Sequence, residues 1–278
     1  ESCDEQSAAP FDGVGAALAC IGLGTLTWGM TSAGPTGTPA LVAGAALLVG
    51  FVVWERRTPH PMMPLHLFRS PVFSAANAMT VLVYGALGAM SLFLVLQLQV
   101  GLGMSPLQAG LATLPMTAAL LLLSGRAGAV AGRIGPRLPM TVGPVLCGVG
   151  TLMLAPVARG SSYWVDVLPG LVVFSLGLTT LVAPLTTSVL AAAPDRYAGL
   201  ASGINNAVAR TGSLLAVAAL PALVGLSGTD YDDPAALADG YRAAMLVCTG
   251  LLVGGGVVSW FGLGARSGVA TAATTPHR

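Results

Sequence analysis

One arginine in this chain stands where an ion is costly. Arg210 lies about 11 residues into the apolar run 198–226, which at ~1.5 Å per residue is about 16 Å deep. That is near the middle of a ~30 Å hydrocarbon layer. A charge there costs at least about 2.5–3.5 kcal/mol, so it faces protein or water rather than lipid. Gly199, Gly203, Asn206 and Ser213 are spaced from it and from one another by threes and fours, so they share its helix face. Such a stripe can do recognition chemistry: it can bias a ligand's charge, hold a carboxylate or hydrogen-bond an amphiphile. Elsewhere, polar residues within apolar runs are few: Asn77, Tyr84, Ser91, Gln97 and Gln99; Thr179, Thr180, Thr186 and Thr187; and Asn205. The threonines read as helix glue, and the two glutamines fall near a water interface. Tyr84, Asn206 and Arg210 are the candidate substrate contacts.

Enzyme chemistry has little to work with. The chain contains no phosphate-binding G-x-x-x-x-G-K-[ST], no G-x-S-x-G and no H-E-x-x-H. His60 and His66 sit in a polar connection without a Cys or acidic partner, so they read as solvated rather than as metal ligands. No cofactor motif, metal site or catalytic set is expected. The carboxylates Asp12, Glu55, Asp166 and Asp195 fall at the ends of apolar runs, so no run carries the mid-membrane acid that a proton relay normally uses.

Composition sets the solvent. Hydrophobic residues make up 54%, charged residues 8%, and mean hydropathy is +0.80. A soluble domain carries about 25% charged residues, so this chain is built for a lipid bilayer. The 12 basic residues are all arginine and the net charge is +1, which gives no concentrated basic face for nucleic acid. Cys20, Cys147 and Cys248 lie in apolar runs, Cys3 in the polar N-terminal segment, and no C-x-x-C occurs. The first three read as small buried hydrophobes. The chain begins with Glu and has no basic n-region, so it reads as part of a longer protein or a processed product.

Eight apolar runs are expected to cross the bilayer, at about 13–31, 38–54, 73–99, 106–125, 138–158, 164–190, 198–226 and 242–263. The sequence divides into a tail and two spans (1–54), a linker (55–72), six spans (73–263) and a polar tail (264–278). With eight spans both termini share a side. That side carries Arg56, Arg57, Arg69, Arg126, Arg133, Arg137, Arg196, Arg266 and Arg278, and the other Arg159 and Arg242. The positive-inside rule then puts both termini in the cytoplasm. Spans three to eight form two triplets of opposite orientation, the pattern of a 3+3 inverted repeat. The loops 126–137 and 227–241 would lie on opposite faces. Gly199/Gly203 and Gly250/Gly254 are candidate packing pairs, whereas Gly128/Gly132 falls in a predicted loop. Pro115, Pro184 and Pro221 are expected to kink their helices.

Three stretches carry a family likeness: FLVLQLQVGLGMSPLQAGLATLP (93–115), GRAGAVAGRIGPR (125–137) and APDRYAGLASGINNAVARTGSLLAVA (193–218). With them the chain resembles the C-terminal part of the fourteen-span drug:proton antiporters of the major facilitator superfamily. Residues 128–137 are similar to that family's basic loop, G-x-x-x-D-R-x-G-x-R. Gly125, Arg126, Arg133, Gly135 and Arg137 are carried over as its gating motif, but Gly132 stands where an Asp is usual. The resemblance implies an all-α membrane protein in which two extra spans precede a six-helix major-facilitator bundle. It also implies a further N-terminal six-helix bundle as partner, a small hydrophobic or amphiphilic substrate, and a place in the bacterial inner membrane. Alternating access between two bundles would drive multidrug export. The competing reading is a non-transporting membrane module or partner subunit.

Overall fold

Serine or aspartate followed by proline opens three of the helices. The computed structural model describes residues 12–32, 36–231 and 233–263. Ser70 caps α3 (Pro71–Leu96) by accepting the Phe73 N–H. Ser105 and Gln108 form a reciprocal capping box on α4 (Pro106–Ala112), and Asp233 caps α9 (Pro234–Gly262). The proline at the first helical position costs nothing there, because its missing N–H would have had no partner. The remaining helices are α1 (Gly13–Thr31), α2 (Gly37–Glu55), α5 (Leu114–Ile134), α6 (Arg137–Leu154), α7 (Leu168–Ala191) and α8 (Ala198–Leu223). Among the described residues, eight helical segments are long and apolar enough to span a membrane, with α4 and α5 forming one broken span. The break falls at Thr113, just before Pro115.

The eight spans sit where expected, but two are longer. Span four continues to Ile134 and span eight begins at Pro234, so the expected loops 126–137 and 227–241 are largely helix. Their charges, Arg126, Arg133 and Asp239, resemble loop residues in a hydropathy reading. A helix of 29 residues is about 43 Å long and simply extends past the hydrocarbon layer. Arg126 and Arg242 therefore lie within helices. Of the described arginines at helix ends, Arg56, Arg57, Arg69, Arg133, Arg137 and Arg196 share one end of the molecule and Arg159 the other.

In the bundle, α3 packs on α8 and α9, α7 packs on α5 and α6, and α6 packs on α9. Exchanging α3, α5, α6 for α7, α8, α9 reproduces these pairings, as a 3+3 inverted repeat requires. α1 and α2 pack chiefly on each other, and α1 also touches α8. Phe73, Phe93, Phe174, Met79, Met90 and Leu171 are fully buried at the centre. Outside, Leu121 (80% exposed), Leu223 and Phe261 face outward, a distribution suited to lipid rather than water.

The glycines that bring helices together differ from those the spacing suggested. A Cβ built on Gly199, Gly203, Gly250 or Gly132 meets nothing within 4 Å, and one on Gly128 only touches Ala183. Close approach occurs instead between α6 and α7, at Gly143 against Gly177 and Gly150 against Gly170. Four-residue spacing is common in a glycine-rich chain and does not say which helix lies opposite. Cys147 and Cys248 are buried as expected, but Cys20 is exposed. The tail 264–278 with Arg266 and Arg278, residues 1–11 with Cys3, the turn residues 33–35, and Asp232 lie outside the described residues.

Candidate functional site

α3 and α8 run parallel. Their close approach is made at Gly85 and Gly212, where a Cβ on either would reach the other helix's backbone oxygen at 3.3 and 3.0 Å. Toward the arginine-rich end, the same seam is held by hydrogen bonds. Asn205 Nδ2 donates to Thr80 Oγ1 at 2.8 Å and to Asn77 Oδ1 at 3.2 Å. Asn77 and Thr80 are buried and each donates back to its own helix, to Phe73 O and Ala76 O. Interhelical polar bonds of this kind contribute about 0.6–2 kcal/mol in a membrane protein. Thr80 escaped sequence reading, although Asn77, Thr80 and Tyr84 follow at three and four and so mark one face of α3.

Above this seam, Tyr84, Leu185, Thr186, Val189, Ser202, Asn205, Asn206 and Ala209 line a cleft of about 90 Å³ between α3, α7 and α8. Two of the three candidate contacts, Tyr84 and Asn206, meet there. Tyr84 is half-buried and Asn206 exposed. Arg210 does not line the cleft itself. It lies one turn beyond Asn206, exposed, with its charge in electrostatic reach of the Tyr84 hydroxyl. Of the two surroundings expected for Arg210, packed protein or water, the packed face of α8 is not the one it takes. The buried face of α8 is Ala201, Ile204, Ala209, Gly212, Ala218 and Leu220, whereas Gly199, Gly203, Asn206 and Arg210 line its exposed side, together with Leu214. Ser213, expected in the stripe, packs instead on Gly88. A drug-sized ligand needs about 300–1,000 Å³, so this cleft is too small to enclose one by itself. A larger groove, about 790 Å³ between α4, α5 and the start of α7, is lined by Leu102, Leu111, Leu114 and Trp164 and carries no charged side chain.

Gln97 and the four α7 threonines have structural partners. Gln97 is fully buried and its amide donates to Val157 O at 2.9 Å, tying the π-helical end of α3 (97–101) to the α6–α7 connection. Thr179, Thr180, Thr186 and Thr187 each donate to a carbonyl one turn back in α7, the helix-glue role.

The basic motif divides between helix and turn. Gly125, Arg126 and Arg133 belong to α5, and only Gly135 and Pro136 make the turn to α6. Gly135 takes φ +83°, a region that favours glycine because a Cβ would clash with the backbone. Arg137 is engaged: its Nε donates to Trp260 O at 3.2 Å and its guanidinium lies 4.1 Å from the Trp260 ring centroid. It thereby fastens the start of α6 to the end of α9. Arg126 and Arg133 are exposed. The open space at Gly132 means that packing does not forbid a larger residue there.

An all-helical, multi-pass membrane protein with a 3+3 inverted repeat and a polar cleft at the repeat interface has the architecture of a secondary transporter. The Major Facilitator Superfamily profile matches residues 11–217, and the chain belongs to that family. It is 35% identical over 226 residues to the multidrug resistance protein Stp of Mycobacterium tuberculosis, covering 79% of this chain and 42% of that protein. It is 34% identical over 233 residues to a probable actinorhodin transporter of Streptomyces coelicolor, covering 79% and 40%. To a tetracenomycin C resistance and export protein of Streptomyces glaucescens it is 30% identical over 227 residues, covering 79% and 42%. The chain thus spans about two fifths of the length of these relatives.

Proposed function

We propose that this chain is the C-terminal part of a fourteen-span drug:proton antiporter of the bacterial inner membrane, with both termini in the cytoplasm. The observation that carries the reading is the half-site: Tyr84 and Asn206 line a cleft too small to enclose a ligand, and Arg210 lies one turn beyond Asn206 on the exposed side of α8. A second six-helix bundle facing that side would complete the cavity and supply the other rigid body that alternating access needs. α1 and α2 are then the extra central pair, residues 55–72 the linker, and α3 to α9 the second bundle. In this reading the substrate is a small hydrophobic or amphiphilic molecule. Tyr84 and Asn206 orient it and Arg210 biases its charge or meets a carboxylate of the facing bundle. Arg126 and Arg133 attach to anionic lipid headgroups, while Arg137 braces the α6–α9 contact. The relatives named for antibiotic resistance and export support this reading.

Cells expressing the open reading frame that contains these 278 residues should expel a hydrophobic cationic dye, and a protonophore should stop the efflux. Dye accumulation equal to that in cells without the gene overturns the export reading, and efflux indifferent to the protonophore overturns the coupling. The orientation has its own check. In a background without native cysteines, Arg133→Cys should resist an impermeant thiol reagent in intact spheroplasts, whereas Arg159→Cys should react. The reverse pattern inverts the topology.

A further inference from the structure

The base of the α1–α2 hairpin holds two carboxyl groups whose oxygens converge. Asp12 Oδ1 accepts the Gly15 N–H at 2.8 Å and the Trp54 indole N–H at 2.9 Å, and Asp12 Oδ2 lies 3.1 Å from the same indole nitrogen. Glu55, the last residue of α2, is 3% exposed, and its Oε2 accepts the Met63 N–H at 3.0 Å. Glu55 Oε1 is buried without a hydrogen-bond partner. Asp12 Oδ2 and Glu55 Oε1 lie 2.5 and 3.1 Å from one point, the place a Cβ on Gly15 would occupy. When both groups are ionised, oxygens that face one point repel each other, and the unpartnered buried acceptor of Glu55 is itself costly.

The surroundings decide what relieves that cost. Among the described residues no cationic side chain pairs with either carboxyl: α1 carries no charged residue, and Arg56 and Arg57, next along the chain, are exposed. The other groups facing the pair are backbone and indole N–H donors from α1, α2 and the linker. A metal ion needs four or more ligands, and among the described residues no cluster of three ligating side chains exists. A single proton suffices. We propose that Asp12 and Glu55 form a proton-binding site, holding one proton between Glu55 Oε1 and Asp12 and so clasping the two ends of the hairpin to the linker at Met63. The proton turns Glu55 Oε1 from an orphan acceptor into a donor and removes one of the two facing charges. The site is independent of the transport reading, since it concerns how the hairpin is held.

Infrared spectroscopy of the purified chain in lipid nanodiscs tests this directly. At neutral pH the wild type should show a protonated-carboxyl C=O stretch, shifted in D₂O and absent from Glu55→Gln. Asp12→Asn should move the band, because the acceptor of that proton has changed. The unfolding midpoint in micelles gives a second readout. A free glutamate releases its proton near pH ~4.3, so above that pH the folded chain binds more protons than the unfolded one. Stability then falls as pH rises, and in Glu55→Gln this dependence should flatten. A wild-type spectrum without the band at neutral pH overturns the proposal even if neither variant folds. A band that persists in Glu55→Gln, or stays unmoved in Asp12→Asn, also overturns it.

Discussion

Arg210→Ala in the proposed full-length exporter is expected to abolish export while leaving the amount of protein in the membrane near normal. The two halves of that expectation rest on different observations. Arg210 lies exposed on α8, outside the packed face of Ala201, Ile204, Ala209 and Gly212. Removing it opens no cavity in this bundle, and substitutions of that kind usually change stability by less than about 0.5 kcal/mol. Across the proposed cavity the arithmetic differs. A guanidinium that meets a buried carboxylate or an anionic substrate group loses about 2–5 kcal/mol of interaction when truncated, enough to reduce export far more than tenfold. Arg210→Lys separates the possible partners. A site that needs only positive charge keeps part of its activity with lysine, whereas a bidentate contact loses it with the planar fork. The check is the efflux rate normalised to membrane content. Normal efflux in Arg210→Ala removes the functional role, and loss of the protein from the membrane assigns Arg210 to structure instead.

The second large effect is expected at the α6–α7 contact. Gly150→Val should remove most of the folded protein from the membrane. A Cβ at Gly150 falls 2.7 Å from the Gly170 carbonyl oxygen and closer still to the Phe174 nitrogen. Both obstacles are backbone of the facing helix, so no side chain can turn aside. Only separation of α6 and α7 makes room. That separation would also pull apart Gly143 and Gly177, where a Cβ on Gly177 lies 2.5 Å from both Cys147 N and Gly143 O. Without a hydrophobic driving force between helices in lipid, such close packing is a main source of association. Overpacking of this type costs about 1–3 kcal/mol and more when backbone must move. The control is Gly250→Val, because nothing lies within 4 Å of a Cβ there. Detergent-resistant, monodisperse protein should survive in the control and not in Gly150→Val. Equal yields for the two variants would refute the assignment of this contact.

Hydrophobic run length by itself determined that the chain spans a membrane eight times, because a backbone in lipid must satisfy its own hydrogen bonds and the resulting helices need about 20 apolar residues. Spacing by threes and fours likewise grouped Gly199, Gly203, Asn206 and Arg210 on one face of α8, since that periodicity belongs to the helix itself, although Ser213, grouped with them, packs on Gly88. Helix ends were less legible. Arg126, Arg133 and Asp239 read as loop because charge resembles a boundary, whereas the actual stops and starts are the φ +83° turn at Gly135 and the Asp233–Pro234 cap. What only the tertiary structure decided is which faces meet. Gly150 opposes Gly170 while Gly199 and Gly203 oppose nothing, and Asn205 joins Thr80 while Arg210 lies outside the packed face. Glu55, read as a span-end carboxylate, is covered and brought to Asp12 across 43 residues of chain. Local periodicity fixes the direction of a side chain on its own helix, but its partner depends on how long-range packing rotates each helix about its axis.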